Sequence, residues 1–584
     1  MHVPYLDSLL KRVHISGTNV LIIMSVFVGL TTALGAIGFV KLIRTFNDLF
    51  FGLTDQILTE TIGERGFKFW LPAIPMLGGL LVGPIVFKYA SEAKGHGVPE
   101  VMNAVARLGG IIRPRVAAAK TVASAICIGS GGSAGREGPI VQIGSAIGST
   151  IGQMFRMSGE RVKILVGCGA AAGISSVFNA PIAGVIFSLE IILGDFAIKT
   201  FSPVILSSVV ASVVTRSVMG NHPAFAVPSY SLVSAWEIPL YITMGAVLGG
   251  YGVFFTKTLD AFEEFFEKLK MSPMFKPALG GLLLGIIALF YPQVLADGYE
   301  TIKLTIYGNM GVEILLLLIF MKLVATSLTL GSGNSGGIFA PSLFMGAVAG
   351  GSFGFLMNYL FPDVTATPGA YALVGMAGMV AATTHAPITA LLIIFEMTSD
   401  YRIILPLMVT VVFSALVAGR LFKHSIYTAK LAKRGIEIKG GKDMNVLKSH
   451  QVREIMDSDF ETIDASTPLA QIFRTIEHSS ESYFIVNDKQ GHFKGVISFQ
   501  DIRSVLSQHS LDYLVIAQDL VKEDTEVLNF DDDLEKAYKF FGIKDLSLIP
   551  VVNMPDRKRV IGVVRRDELI DYYNKRLIDT LRRV

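Results

Sequence analysis

The stretch GREGP (Gly135–Pro139) decides the fold, and Gly144 and Gly148 follow its proline by five and nine residues. A glycine- and proline-rich segment that opens an apolar helix leaves the first backbone N–H groups of that helix without partners. Those donors and the positive end of the helix dipole attract a negative ion, and glycine lets the backbone approach it closely. The stretch therefore predicts an anion-binding helix start inside an apolar environment.

The same pattern returns 202 residues later, as GIFAP (Gly337–Pro341) with glycines again five and nine residues after the proline. A second motif is repeated in the same order. API (Ala180–Ile182) precedes Glu190 by nine residues from its proline, and API (Ala386–Ile388) precedes Glu396 by nine, at an offset of 206 residues. Two ordered matches at nearly one offset predict two homologous halves.

These halves span about residues 20–220 and 235–435, and each contains interrupted apolar segments at corresponding places. Such a pairing is typical of a transport site near the middle of a membrane. A third turn of the same kind, GHGVP (Gly95–Pro99), stands just before an apolar-periodic segment. Glycines that serve only to pack helices are the plainer interpretation of any one motif, but three motifs together favour an anion path.

Glu137 is the one carboxylate within these motifs. A buried carboxylate inside a membrane is costly unless it has a function. At an anion-binding helix start, it occupies the site as a tethered anion when ionised and leaves when protonated, which predicts a gate and a proton carrier in one side chain. The alternative is an interfacial glutamate paired with Arg136. The symmetric positions of Glu190 and Glu396 indicate a structural role.

Composition divides the chain into a membrane domain and a water-soluble tail. Of its 584 residues 51% are hydrophobic and 17% charged, and the mean hydropathy is +0.54, which excludes an ordinary soluble protein. Charge concentrates at the end: 47 of the 149 residues in 436–584 are charged, against 52 in 1–435. The net charge of +3 is too small to indicate a nucleic-acid partner. Residues 1–435 are therefore predicted to be a membrane domain of helices.

Runs without charge support this prediction. Three of them approach or exceed the ~20 residues that cross a bilayer: Ser16–Val40, Pro277–Ala296 and Ile403–Gly419. A fourth, Leu323–Pro362, is interrupted by Gly, Ser and Pro, which predicts broken or re-entrant helices surrounded by protein.

Together these motifs resemble the CLC family of chloride channels and chloride/proton exchangers. Five segments are similar to family motifs, in order: Gly95–Pro99, Gly135–Pro139, Asn179–Gly184, Gly337–Pro341 and Ser425–Tyr427. The resemblance implies a fold of two inverted halves with broken helices, a homodimer with one pore in each subunit, and a multi-pass protein of the plasma membrane.

Residue by residue, the resemblance implies that Glu137 is the gating glutamate. The backbone amides of Ile338 and Phe339 and the hydroxyl of Tyr427 are then expected to hold a central anion. The first motif contributes His96 and Gly97 to the same site, and the amides of Glu137 and Gly138 line an outer one.

Two positions depart from the family pattern. His96 stands where the family usually has a serine that contacts the central anion, which leaves the preferred anion open. Many exchangers carry two consecutive acids where this chain has Glu190-Ile191, and the second acid accepts the proton on the inner side. Because Ile191 cannot accept a proton, the sequence favours a passive chloride channel, with a chloride/proton antiporter as the alternative.

The tail also repeats itself: Leu469–Asn487 followed by Gly495–Ser498 parallels Leu534–Asn553 followed by Gly562–Arg565. This repeat resembles a tandem CBS pair, at about 448–510 and 515–580, which is expected to lie in the cytosol. Each unit is predicted as a helix, two short apolar strands and a closing helix. Ser498 and Asp501 keep the pattern that holds a nucleotide ribose in CBS domains, so adenine-nucleotide binding is open, with a purely dimerising module as the alternative. No cofactor is expected to be required.

Other classes fit less well. A CBS-regulated divalent-cation transporter should show clustered Asp or Asn inside the membrane, whereas here the breakers are rich in glycine and carry one glutamate. No metal-ligand spacing, nucleophile–base pair or phosphate-binding loop indicates an enzyme, and Cys127 and Cys168 form no metal motif.

Overall fold

The structure is a computed structural model, in which residues 17–52, 70–221, 225, 227–228, 230, 232–436, 447, 450–479, 483–499, 502, 515–521, 525–544, 547–552 and 559–582 are described. The chain divides into two compact units, Met1–Gly440 and Gly441–Val584. The first is helical and the second mixes helices with strands.

The first half of the membrane unit contains α1 (Gly17–Asn47), α2 (Ala73–Pro84), α3 (Val98–Arg107), α4 (Pro114–Gly129), α5 (Glu137–Met154), α6 (Gly159–Phe178), α7 (Pro181–Phe187) and α8 (Ile198–Met219). The second half contains α9 (Glu237–Lys268), α10 (Lys276–Phe290), α11 (Tyr299–Ile306), α12 (Val312–Gly331), α13 (Phe339–Leu360), α14 (Pro368–Thr384), α15 (Pro387–Thr398), α16 (Ile404–Leu421) and α17 (Ile426–Lys433). Turns of π-helix extend α1, α2 and α7 at Asp48–Gly52, Ile85–Tyr89 and Ser188–Leu193.

Within the described residues, eight helices are long and apolar enough to cross a membrane, and three shorter apolar helices accompany them. The charge-free run Leu323–Pro362 is broken as predicted, because α12 ends at Gly331 and α13 begins only at Phe339. The run Pro277–Ala296 does not form one helix, since α10 stops at Phe290, just before Pro292.

The two halves pack alike at their closest helix crossings. A Cβ on Gly144 of α5 would overlap the carbonyl oxygen of Gly169 in α6, and a Cβ on Gly346 of α13 would overlap that of Gly375 in α14. Small residues at a crossing let two membrane helices approach backbone to backbone. The repeated glycines therefore bring α5 and α13 tightly against their neighbours.

Each half also caps a helix of the other. The Glu190 carboxylate accepts hydrogen bonds from the Thr389 amide at 2.7 Å and the Ile388 amide at 3.3 Å, at the start of α15. The Glu396 carboxylate does the same for Ala183 at 2.7 Å and Ile182, at the start of α7. Both helices follow an alanine, which cannot cap them. The exchange is what a two-fold relation between the halves produces.

The described residues of the tail unit form two three-stranded sheets, in each of which the strands are neighbours in chain order. The first sheet has β1 (Thr462–Asp464), β2 (Tyr483–Asn487) and β3 (Phe493–Ser498), and the second has β4 (Leu528–Asn529), β5 (Leu548–Val552) and β6 (Val560–Arg565). The first pair of strands in each sheet is parallel and the second antiparallel. The helices among its described residues are α18 (Leu469–His478), α19 (Ala517–Leu520), α20 (Leu534–Lys544) and α21 (Arg566–Arg582).

The predicted pattern of two strands in each tail unit was incomplete. β1 and β4 are additional, and they are two or three residues long, too short for an alternating pattern to be recognised. Much of the segment predicted to close the first unit lies outside the described residues.

Candidate anion site

Four helices of the described part of the membrane unit begin close to one another, as the contacts between their first residues show: α3, α5, α13 and α17. The turn before α3 needs glycine, because Gly95 and Gly97 have φ of 73° and 82°. Gly97 also lies against Gln142 of α5, whose Oε1 would be 2.7 Å from a Cβ on Gly97. Unpaired N–H groups at helix starts attract negative charge.

Backbone hydrogen bonds join the three glycine-rich segments. The Gly135 amide donates to the Gly337 carbonyl at 2.8 Å, and the Gly337 amide donates back to Gly135 at 2.6 Å. The Gly95 amide donates to the Asn334 carbonyl at 3.0 Å, and the Gly336 amide donates to Gly95 at 3.2 Å. The three motifs found in the sequence therefore meet in space.

Gly138 lies where these segments are closest. A Cβ on Gly138 would overlap the carbonyl oxygen of His96 and lie 3.0 Å from the Cα of Gly337. A Cβ on Gly337 would in turn lie 2.8 Å from the Gly138 nitrogen. The two helix starts can approach each other only because neither residue has a side chain.

The Glu137 side chain is 1% exposed and lies within this cluster. Its Oε1 accepts a hydrogen bond from the Tyr299 hydroxyl at 2.9 Å. Its Oε2 lies 3.4 Å from the amide nitrogen of Ala340, in the first turn of α13. The guanidinium of Arg136 is not paired with this carboxylate but lies over the Tyr299 ring, 5.1 Å from its centroid. The carboxylate thus accepts from the start of a second helix, as an anion would.

His96 and Tyr427 are both 2% exposed, and their ring centroids are 5.8 Å apart. The His96 Nδ1 has no hydrogen-bond partner among the described residues. Tyr427 lies at the start of α17, which is capped by two reciprocal hydrogen bonds. The Thr428 amide donates to the Ser425 hydroxyl, and the Ser425 amide donates to the Thr428 hydroxyl. An imidazole nitrogen without a partner among the described residues and a tyrosine ring therefore lie together in one buried region.

The structure brings most of the predicted site residues together. Ile338 and Phe339 form the start of α13, beside Gly138 and Glu137, and the Phe339 ring packs on Phe178 with centroids 5.5 Å apart. Glu190 is not part of this cluster, since its carboxylate caps α15, and Ile191 is buried among apolar side chains. No group of three or more His, Cys, Asp or Glu able to hold a metal ion occurs in the described part of the chain.

Three site residues escaped the sequence analysis: Tyr299, Lys120 and Lys322. Lys120 is fully buried, and its Nζ donates to the carbonyls of Ala93 at 3.0 Å and Gly95 at 2.6 Å, just before and at the first residue of the turn Gly95–Pro99.

Lys322, 202 residues later, is also fully buried, and its Nζ donates to the carbonyls of Val294 and Ala296, both at 2.9 Å. The signal was available in the sequence, since the offset between the two lysines equals that between Pro139 and Pro341.

In the tail, Ser498 ends β3 and Asp501 lies outside the described residues. The corresponding Arg565 of the second unit donates hydrogen bonds to the Asp457 carboxylate and the Asp459 carbonyl. The Asp459 amide and the Arg565 guanidinium hold the pKa of Asp457 below its ordinary value. Arg565 is thus engaged in holding the segment before β1 to β6.

Comparison with known proteins agrees with this geometry. The family model described as voltage gated chloride channel matches residues 78–419, and the CBS domain model matches 452–508 and 517–575. The putative chloride channel protein ClcB-like of Ralstonia nicotianae is 34% identical over 412 residues, which cover 70% of this chain and 95% of that protein. The H(+)/Cl(-) exchange transporter ClcA of Vibrio campbellii is 33% identical over 402 residues, covering 67% and 86%.

Among solved structures, the crystal structure of a slow cyanobacterial Cl-/H+ antiporter matches with a TM-score of 0.66 and 27% identity, over 71% of this chain and 97% of that one. The predicted fold class and the resemblance are confirmed. The chain belongs to the CLC family of multi-pass, anion-transporting membrane proteins and carries a tandem CBS pair after its membrane unit.

Proposed function

We propose that this protein exchanges chloride for protons across a membrane, with Glu137 as both gate and proton carrier. The observation that carries the proposal is the position of the Glu137 carboxylate, which lies within hydrogen-bonding reach of the first turn of α13. A carboxylate held there competes with chloride for the same amide donors. Protonation removes its charge and lets chloride replace it.

This proposal differs from the sequence prediction, in which Ile191 favours a passive channel. The names of similar proteins favour the antiporter: the relative from Vibrio campbellii is an exchange transporter, and the matching cyanobacterial structure is a Cl-/H+ antiporter. Glu190 is a poor substitute for the missing acid, because its carboxylate is committed to three hydrogen bonds at α15. The inner leg of the proton path then runs through water or through His96.

The test is the reversal potential of the purified protein in liposomes under a fixed chloride gradient, with a pH gradient added in either direction. For an exchanger, adding a pH gradient shifts the reversal potential steadily away from its value under the chloride gradient alone, and reversing the pH gradient reverses the direction of that shift. A potential that follows chloride alone at every pH would instead make this protein a passive channel. The His96→Ser variant separates the two inner routes: coupling that survives the change runs through water, and coupling that disappears while chloride flux remains runs through the imidazole.

We further propose that Tyr427 donates a hydrogen bond to the central chloride. The Tyr427→Phe variant removes only that hydroxyl, from a buried position beside His96. A hydrogen bond to a charged group contributes about 1.5–3 kcal/mol, so chloride affinity measured by calorimetry should fall roughly 10- to 100-fold.

Tyr251→Phe is the matched control, because that hydroxyl donates to the Ile319 carbonyl instead. Equal affinities in Tyr427→Phe and the unchanged protein would remove Tyr427 from the site.

Several finer assignments stand as part of the same proposal: a homodimer with one pore in each subunit, a plasma-membrane location, and CBS domains that face the cytosol. His96 in the place of a serine is proposed to influence which anion is preferred. Adenine-nucleotide binding through Ser498 and Asp501 is also a proposal, to be tested by calorimetry on the full-length protein with ATP.

A further inference from the structure

We infer that Tyr299 is a positioning residue that latches the gating glutamate in the anion path. Its hydroxyl donates to Glu137 Oε1 at 2.9 Å, while the other carboxylate oxygen faces the Ala340 amide. A phenol donates more favourably to a carboxylate than to a neutral carboxyl group. Tyr299 therefore stabilises the ionised glutamate in place, and a proton that neutralises the carboxylate weakens the latch. This inference rests on the proposed gating role of Glu137.

The rest of the fold holds Tyr299 in position for this contact. Tyr299 is the first residue of α11, and the preceding Gly298 has a φ of 78°. Lys322 donates to the two carbonyls that lead into this turn, and its Nζ also lies 4.9 Å from the centroid of the Phe344 ring in α13. The turn is thus fastened to the same helix whose first amides face Glu137. Phe225 packs against the Tyr299 ring, with centroids 5.4 Å apart.

The turn before α11 corresponds, in the internal repeat, to the turn before α3. Gly298 caps the start of α11 at φ 78° as Gly97 caps the start of α3 at φ 82°, 201 residues earlier. Buried lysines clamp the carbonyls of both turns in the same way. The turn before α11 is therefore the second half's copy of the turn at Gly95–Pro99. One copy places His96 beside Tyr427, and the other places Tyr299 on the gate.

The groups that face Glu137 set the effect of losing the hydroxyl. Arg136 comes from the same segment as Glu137, and Tyr427 comes from α17. Asp297 lies in the turn before α11, and Tyr299 is the first residue of that helix. Of these, Tyr299 is the donor whose hydrogen bond to the carboxylate is described. Its removal weakens the ionised form and leaves the other charges unchanged.

The experiment measures chloride flux from liposomes as a function of pH for Tyr299→Phe. We expect flux near neutral pH to rise roughly 10- to 100-fold and the midpoint of the pH profile to move about one to two units to higher pH, as expected for one lost hydrogen bond to a charged group. Tyr230→Phe is the matched control: that hydroxyl donates to the Ile306 carbonyl at the other end of the same helix, and its loss should leave the midpoint unchanged.

A third and fourth variant, Glu137→Ala and Glu137→Ala with Tyr299→Phe, separate the latch from the gate. The latch is supported if Tyr299→Phe shifts the pH profile of the unchanged protein but leaves the profile of Glu137→Ala as it was. A Tyr299→Phe midpoint equal to that of the unchanged protein, with pH dependence abolished in Glu137→Ala, overturns the latch alone. Full pH dependence in Glu137→Ala overturns the gating role and the latch with it.

Discussion

The Glu137→Ala variant is expected to carry chloride without any proton in exchange, at a rate that no longer depends on pH. Among the described residues, Glu137 is the buried acid that lies at the start of α5 and has a carboxylate oxygen within reach of the start of α13. Alanine leaves both helix starts open, so anions retain their amide donors. Proton flux measured beside chloride flux should fall from a fixed ratio to background.

Glu300→Ala is a suitable control, because that acid lies one residue after Tyr299 and is exposed. It should keep both the coupling and the pH profile. Proton exchange that persists in Glu137→Ala would place the proton carrier elsewhere in the chain.

The Lys322→Met variant is expected to have the largest effect on stability. Methionine keeps the length of the side chain but removes every donor, so the carbonyls of Val294 and Ala296 lose a buried partner. Polar groups stranded in this way cost about 1–3 kcal/mol each in soluble proteins and somewhat less in membranes, or roughly 2–4 kcal/mol for the two together. Thermal unfolding in detergent should show this as a lower transition temperature.

Lys268→Met is the control, since that side chain is 81% exposed and its ion pair with Glu264 lies on the surface. The two transitions should differ clearly. If Lys322→Met unfolds at the same temperature as Lys268→Met, the clamp contributes nothing to the fold.

Much of the site could be predicted because glycine and proline mark unusual backbone. The stretches at Gly135–Pro139 and Gly337–Pro341 are where apolar helices must begin inside the protein, and the structure joins them by reciprocal hydrogen bonds. The symmetric positions of Glu190 and Glu396 likewise predicted a structural role, and both carboxylates cap helices. Periodicity and spacing are enough when the requirement is local.

Tyr299 was missed because its turn lacks the proline by which the three glycine-rich motifs were recognised. Pro99 stands in the second position of α3, whereas the corresponding residue of α11 is Glu300. Proline and glutamate are both well suited to a first helical turn, so the structure is kept while the pattern is lost. The contact between Tyr299 and Glu137 also joins residues 162 apart, which no local pattern reveals.

The preference for a channel rested on a single side chain, Ile191. Proton transfer does not need an acid at one fixed position, because water or another titratable group can carry the proton over the same distance. An apolar residue there therefore says less about coupling than the position of Glu137 does. Similarly, Ser498 and Asp501 match a nucleotide-binding pattern, but two residues do not predict whether a cleft for the nucleotide forms around them.

The exchanged caps on α7 and α15 also have a consequence for how the chain is made. The amides of Ile182 and Ala183 wait for Glu396, a residue 213 to 214 positions further along. At a synthesis rate of roughly 5–20 residues per second, the first half stays incomplete for roughly 10–40 s after it emerges from the ribosome. During that time its uncapped helix end is open to quality control and to pairing with the wrong segment. A first half synthesised alone should therefore be degraded quickly, and supplying the second half as a separate polypeptide should rescue it.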